Sequence, residues 1–356
     1  VAEKQLVEIA KALVRDAQVI VMDEPTASLT NQEVGQLYKL VEDLKSQGIG
    51  IVYVSHRLEE VERLADRAVI MRDGARVGEL SREELDRDKI IELMVGRSMD
   101  AEFPDYKRSI GDIRLRAMGL TRGTRVKGVS LTVSAGEILA LTGLVGAGRT
   151  ETARLLFGAD RRDSGTIELD GKELYIASPM DAIQAGICLL TEDRKDQGLV
   201  LELSIKDNFG LPNLKGFSRY GWVNRKEESS SFANYVEKIQ IKISGQNQLA
   251  SQLSGGNQQK VVLAKWLEKN AEVLIFDEPT RGIDVGAKFE IYQWMNRLAE
   301  QGKAIIMISS ELPEVLGMSD RIMILKEGIL MGEIKNAPDV TQEKLMAMAI
   351  GVNETY

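Results

Sequence analysis

The chain has one cysteine, Cys188, and one histidine, His56, in 356 residues. A lone thiol closes no disulfide within the chain and builds no Cys-rich zinc site, which fits a reducing cytosol. Long apolar runs are also missing. The longest are strand-sized, such as Ala304–Ile308, whereas a membrane-crossing helix needs about 20 apolar residues. No excess of cations is present. The net charge is −8, which argues against nucleic acid as the main partner, because phosphate backbones are met by clustered Lys and Arg. The opening residues carry no signal-peptide pattern and no initiating Met. They start inside a helical spacing, at Leu6, Ile9, Ala10 and Leu13, so the sequence reads as an N-terminally truncated piece of a longer protein. The apolar fraction of 44% is ordinary for a globular chain, and the length suggests two domains.

What is present is a repeat. Asp23-Glu24-Pro25-Thr26 returns as Asp277-Glu278-Pro279-Thr280, at a fixed offset of 254 residues. The register holds without a gap from Gln5/Gln259 through Gln47-Gly48/Gln301-Gly302, Ser55/Ser309 and Asp66-Arg67/Asp320-Arg321 to Gly78/Gly332. An offset that long marks a duplicated domain, since solenoid repeats are far shorter. Val1 falls opposite Gly255, and the second copy opens near Ile113, so the first copy lacks about 140 residues relative to the second. The domains are therefore expected at 1–97 and 113–356, with a linker at 98–112 that contains Pro104.

Apolar patterning places the elements. Val19–Met22 reads as a buried strand, Asn31–Ser46 as a helix and Ile51–Val54 as a strand. Ala68–Met71 and Arg76–Leu80 read as a hairpin, and Arg82–Val95 as a helix. In the second copy Ile138–Leu141 is a buried strand. Residues of about 179–270 read as a helical insert, after which the order of the first copy returns. Strands alternating with helices predict a parallel α/β sheet.

Three motifs carry chemistry. Gly143-Leu144-Val145-Gly146-Ala147-Gly148-Arg149-Thr150 follows a buried strand and precedes a helical run. It fits G-x-x-x-x-G-K-[ST] except at Arg149. Such glycines let backbone N–H groups wrap phosphates at the positive end of a helix, and Thr150 would set a hydroxyl on Mg²⁺. Lys is a compact point charge suited to the β- and γ-phosphates, whereas Arg is larger and forked. The exchange is expected to spare binding more than hydrolytic geometry. Each Asp-Glu pair ends an apolar strand. Asp23 and Asp277 could hold Mg²⁺ through water, and Glu24 and Glu278 could act as general bases on the attacking water. His56 follows the strand Ile51–Val54, where it could reach a γ-phosphate and orient the water, whereas the second copy has Ser310 there. Leu253-Ser254-Gly255-Gly256-Asn257-Gln258 opens a helix and offers a further anion site at its start. Taken alone, that segment could be a plain helix cap.

Together these residues resemble the ATP-binding cassette (ABC) family over essentially the whole chain. Gly143–Thr150 resembles its Walker A, Val19–Glu24 and Val273–Glu278 its Walker B, Leu253–Gln258 its signature, and His56 its switch histidine. Two copies on one chain, with Arg in the second Walker A, are similar to the tandem ATPases of bacterial simple-sugar importers (ribose, galactose, xylose and relatives). Glu192-Asp193-Arg194-Lys195 stands near the Q-loop position, with Glu192 in place of the usual Gln.

The resemblance implies an α/β P-loop NTPase fold with a helical subdomain, in one complete and one partial copy. It implies ATP and Mg²⁺ as cofactors. ATP contacts are expected from Gly143, Leu144, Val145, Gly146, Ala147, Gly148, Arg149, Thr150, Glu151, Glu192, Ser254, Gly255, Gly256 and Gln258. Metal contacts are expected from Thr150, Asp23 and Asp277, and catalysis from Glu24, His56 and Glu278. In the family each ATP lies between one copy's Walker motifs and the other's signature. In the full-length protein one site would then join the first copy's Walker A, absent from this sequence, and its Glu24 and His56 with Ser254, and hydrolyse. The other would carry Arg149 and Ser310, and be degenerate. Partners would be integral membrane permease subunits, and through them a periplasmic or extracellular sugar-binding protein. No nucleic acid is expected. The location implied is the cytoplasmic face of the cell membrane, as a peripheral subunit. Two other classes stay open: a cassette ATPase acting outside transport, and a nucleotide-binding scaffold without turnover in this form. The short linker and single cysteine argue against the first; Glu24 with His56 argue against the second for the intact protein only, so for this chain by itself the second stays open.

Overall fold

The computed structural model describes residues 11, 17–26, 29, 31–55, 57–72, 74–95, 103–104, 106–283 and 285–351. The chain forms two compact units, Val1–Glu102 with Asp284–Gly286, and Phe103–Ile283 with Ala287–Tyr356.

In the first unit β1 (Val19–Asp23) pairs in parallel with β2 (Gly50–Val54), and the helix Asn31–Ser46 connects them. Ile20, Met22, Val34, Leu37, Val41 and Leu44 form its core. A hairpin of β3 (Arg67–Arg72) and β4 (Ala75–Ser81) follows. The expected helix at Arg82–Val95 is split. Ser81 and Glu84 form a reciprocal capping box on the short turn Arg82–Glu84, and the α-helix proper is Arg87–Val95.

The second unit opens with β5 (Ile113–Arg122), β6 (Val126–Ser134) and β7 (Ile138–Gly143). Next come β8 (Ser164–Leu169), β9 (Lys172–Glu173) and β10 (Ile187–Leu190). The small hairpin of β11 (Ser218–Arg219) and β12 (Trp222–Val223) lies among helices. β13 (Val273–Asp277), β14 (Ala304–Ile308), β15 (Arg321–Lys326) and β16 (Ile329–Lys335) complete the set. The main sheet has the order β10-β13-β14-β7-β15-β16, parallel except for β16. A second, antiparallel sheet has the order β6-β5-β8-β9. Every residue of β13 and β14 is buried, which is why both read as unbroken apolar runs: a parallel sheet covered on both faces leaves no polar side. This is the α/β fold that the alternation of strands and helices predicts.

Three further expectations are corrected. The helical insert does not begin near 179. The helix Pro179–Ala185 leads into β10, a strand of the main sheet, so the helical part starts beyond Leu190 and centres on the helices Ile205–Gly210, Arg225–Ile239 and Gly255–Glu268. The short apolar run Ile187–Leu190 is too brief for its period to tell strand from helix. The linker does not extend to 112. Phe103 packs its ring against Tyr292 with centroids 5.3 Å apart, and Arg108 donates to the Met318 carbonyl at 3.1 Å and pairs with Asp320. The second unit thus begins at Phe103.

β1 is the third correction. It alternates, with Val19 62% and Val21 68% exposed, and Val52 and Val54 of β2 are exposed beside them. Their counterparts in the repeat, in β13 and β14, are flanked by β10 and β7, whereas β1 and β2 make a two-stranded sheet. A two-stranded sheet is marginal on its own. Amides of β1 and β2 are therefore expected to exchange roughly a hundredfold faster than those of β13 and β14 in this chain. Equal, cooperative protection of both pairs would contradict that.

Candidate functional site

The glycine loop leaves the end of β7 and enters the helix Arg149–Phe157. Gly143 has φ +149, and a Cβ there would sit 2.1 Å from the Leu325 carbonyl oxygen of β15. Gly148 caps the helix in the left-handed region, where a Cβ would meet the Arg125 carbonyl at 2.8 Å. Glycine at both places lets β7 and the loop pass close to neighbouring backbone. Val145 stands 97% exposed at the loop tip, and Leu144 is exposed beside it. These two positions can therefore offer backbone amides while their side chains face outward.

β13 delivers Asp277 and Glu278 to the same place. Thr150 Oγ1 donates to Asp277 Oδ1 at 3.1 Å. Asp277 is almost fully buried, and burial pushes its carboxyl up to about 6. Glu278 stands in the left-handed region at φ +47, with its N–H on the Ile308 carbonyl at 2.9 Å. Such a conformation costs a non-glycine residue of order 1–3 kcal/mol and is held by its surroundings. Ser310 donates to Glu278 Oε2 at 3.1 Å. Arg149 turns away from the loop mouth. Its Nη1 donates to the Ser309 carbonyl at 2.8 Å and lies 3.5 Å from Glu278 Oε1. The cationic side chain of the loop thus rests on the carboxylate that the sequence marks as a base.

The loop borders a cavity of about 430 Å³ lined by Thr124, Arg125, Lys127, Gly146, Glu151 and Glu327. Glu151 was expected at the site. Arg125, Lys127 and Glu327 were not, because nothing in the local sequence joins two hairpin turns to a loop.

The signature residues form a second cluster. Ser254 caps the helix Gly255–Glu268 and accepts from Asn257 Nδ2 at 3.0 Å. Gly255 lies against the Arg194 guanidinium, and Gly256 is buried in the first turn of the helix. Gln258 was expected among the ATP contacts. It is buried, and its Nε2 donates to the Ala250 carbonyl at 3.0 Å, so it braces the turn before the helix. Glu192 forms an ion pair with Arg281.

In the first unit Asp23 and Glu24 end β1, both exposed, and Glu24 repeats the left-handed conformation and the bond of its N–H to the Val54 carbonyl at 2.9 Å. His56 lies outside the described residues, as do Val1 and Ala2.

The repeat also exposes a pair of acids that the sequence reading passed over. Glu60 and Glu314 stand at the same offset of 254 and are both buried. Each accepts from the Thr of the Asp-Glu-Pro-Thr turn (Thr26, Thr280) and from the Ser after the next strand (Ser55, Ser309). Their equal register in the two copies was the available clue. Burial pushes the Glu314 carboxyl up to about 7. A carboxyl whose folded pKa is raised favours the native state while protonated, so stability falls as pH rises from about 4.5 to 7, by up to about 3 kcal/mol. Glu314→Gln cannot ionise. Its melting temperature is expected to gain several degrees on the parent between pH 5 and pH 8, and a constant gap would rule this out.

Fold and site together define a P-loop nucleotide-binding cassette. The family model for ABC transporters matches residues 126–281. The chain is 49% identical over 354 residues to a ribose import ATP-binding protein of Clostridium perfringens strain 13, covering 99% of this chain and 70% of the relative. It is 48% identical over 351 residues to the ribose import ATP-binding protein of Bacillus subtilis strain 168, covering 99% and 71%. Among solved structures, a nucleotide-free ATP-binding cassette from an ABC transporter superposes with a TM-score of 0.56 at 20% identity, over 64% of this chain and 92% of that one. A dimeric, post-hydrolysis cassette bound to ADP and Pi gives 0.54 at 21%, over 63% and 99%. The chain belongs to the ribose-import ATP-binding protein family of ABC ATPases.

Proposed function

We propose that this protein hydrolyses ATP to drive import of a simple sugar, of the ribose class, through an integral membrane permease supplied by a sugar-binding protein. Among the described residues no helix is long and apolar enough to cross a membrane, which fits a peripheral subunit on the cytoplasmic face. The observation that carries the reading is the meeting of Thr150, Asp277, Glu278 and Arg149 at the end of the loop Gly143–Gly148.

The residues fit Mg²⁺. A hydroxyl and a carboxylate, both hard oxygen donors, lie 3.1 Å apart in a buried place. Thr150 and Asp277 would hold the ion, which would supply charge neutralisation at the phosphates. The loop amides would cradle the phosphates and the helix Arg149–Phe157 would offer its positive end. Arg149 would have to leave Glu278 to reach a phosphate, freeing that carboxylate to take a proton from water. Ser310, which replaces the histidine of the first copy, can accept or donate a hydrogen bond but carries no charge. The second copy is therefore proposed as a slow or nucleotide-holding site, with Glu24 and His56 as the faster catalytic set only in the full-length protein, where the first copy has its own phosphate loop.

MgATP turnover by this chain and by Glu278→Gln tests the reading. The parent is expected to bind MgATP with little turnover, and Glu278→Gln to bind within about threefold of it. Brisk parent turnover that Glu278→Gln abolishes would show the second copy to be a working site and overturn the asymmetry. No binding by either protein would overturn the nucleotide assignment.

A further inference from the structure

Through its guanidinium Arg194 meets two segments that belong to different motifs. It opens the short turn Arg194–Gly198, which Asp193 caps through the N–H groups of Lys195 and Asp196. Its Nη1 donates to the Arg281 carbonyl at 3.1 Å and its Nη2 to the Gly282 carbonyl at 3.2 Å. Both carbonyls lie just beyond Asp277–Thr280, and the Arg281 N–H returns to the Glu278 carbonyl at 3.2 Å. The same guanidinium lies against the first residue of the signature helix. A Cβ on Gly255 would come within 2.6 Å of Arg194 Nη2 and 3.2 Å of the Gly282 carbonyl. The Arg194 Nε is buried with no hydrogen-bond partner among the described residues, so the side chain is held by its fork and by packing. Two residues earlier, Glu192 pairs with the Arg281 side chain, which ties the same segments a second time. The position of Arg281 in the first copy is Ala27, so that copy lacks the charge for such a pair.

A planar fork that donates to two successive carbonyls is a task for Arg; a Lys ammonium supplies one point of contact on a flexible stem. We propose that Arg194 is a positioning residue that joins the turn behind Glu278 and the start of the signature helix, Ser254–Gly255, into one body. A nucleotide that moves Glu278 and its turn then moves the signature start with it. This rests on the nucleotide reading of the loop Gly143–Gly148.

The test is amide exchange of the full chain with and without MgATP, in a Glu278→Gln background, followed at 143–150, 254–258 and 278–283. With Arg194 intact, MgATP is expected to slow exchange at all three. With Arg194→Met, slowing at 143–150 persists and slowing at 254–258 drops by at least tenfold. Arg194→Lys, which keeps the charge and much of the volume, retains the slowing at 143–150 with a partial response at 254–258, and stands in if the Met variant does not fold. An unchanged response at 254–258 in Arg194→Met, or none there in the parent while 143–150 responds, overturns the inference. A parent with no response at 143–150 overturns the nucleotide reading and the inference together.

Discussion

Gly143→Ala is expected to abolish nucleotide binding and to cost about 3 kcal/mol or more in stability. The added methyl would lie 2.1 Å from the Leu325 carbonyl oxygen and 3.0 Å from the Ala147 Cβ. Neither neighbour can yield. Leu325 sits in β15, which is paired with β7 on one side and β16 on the other. Ala147 is held by the bond of the Gly328 N–H to its carbonyl at 2.9 Å. The φ of +149 adds a backbone conformation that L-residues avoid. Gly146→Ala is the control. It also has a positive φ, +78, but its Cβ would meet nothing within 4 Å, so only a conformational cost of about 1 kcal/mol is expected. MgATP titration and thermal melts of the two variants check this. Binding by Gly143→Ala within threefold of the parent would show that the loop does not need the close passage of β7 and β15.

The second large effect is expected from Arg149→Lys. Arg149 is nearly buried between the Ser309 carbonyl and Glu278. Its guanidinium neutralises the carboxylate that should receive a proton, and a nucleotide must compete for it. Lys is shorter in reach toward two acceptors at once and is the residue suited to β- and γ-phosphates. MgATP affinity is expected to rise about tenfold in the variant, equivalent to about 1.4 kcal/mol. Turnover at the second copy is expected to rise by at least as much, and to vanish again in Arg149→Lys with Glu278→Gln. Stability should fall slightly, because the Ser309 carbonyl loses a partner. An affinity lower than the parent's would mean that Arg149 already serves the phosphates and that its contact with Glu278 does not oppose binding.

Sequence reading located the loop, the Asp-Glu pairs and the helix start at Ser254, because each depends on a short run of residues with fixed spacing. It also placed β7, β13 and β14, whose continuous apolar runs have one reading in a covered parallel sheet. It misjudged β1 for the same reason. An apolar run is buried throughout only where both faces of its sheet are covered, and among the described residues one face of β1, with Val19 and Val21, is exposed. The linker was misplaced because Phe103 and Arg108 look like loop residues until Tyr292 and Asp320 are brought to them.

The sequence by itself thus determined the class of this protein, through the resemblance of its motifs, and the duplication, through the fixed offset between copies; it also named candidate side chains for the chemistry. Only the tertiary structure decided what those side chains do at rest. Arg149 reaches Ser309 across 160 residues, Arg194 reaches Gly282 across 88, and Thr280 reaches Glu314 across 34. Periodicity reports on neighbours within a turn or a pleat. Hydrogen bonds between distant segments depend on the crossing of strands and loops, and no local pattern specifies them.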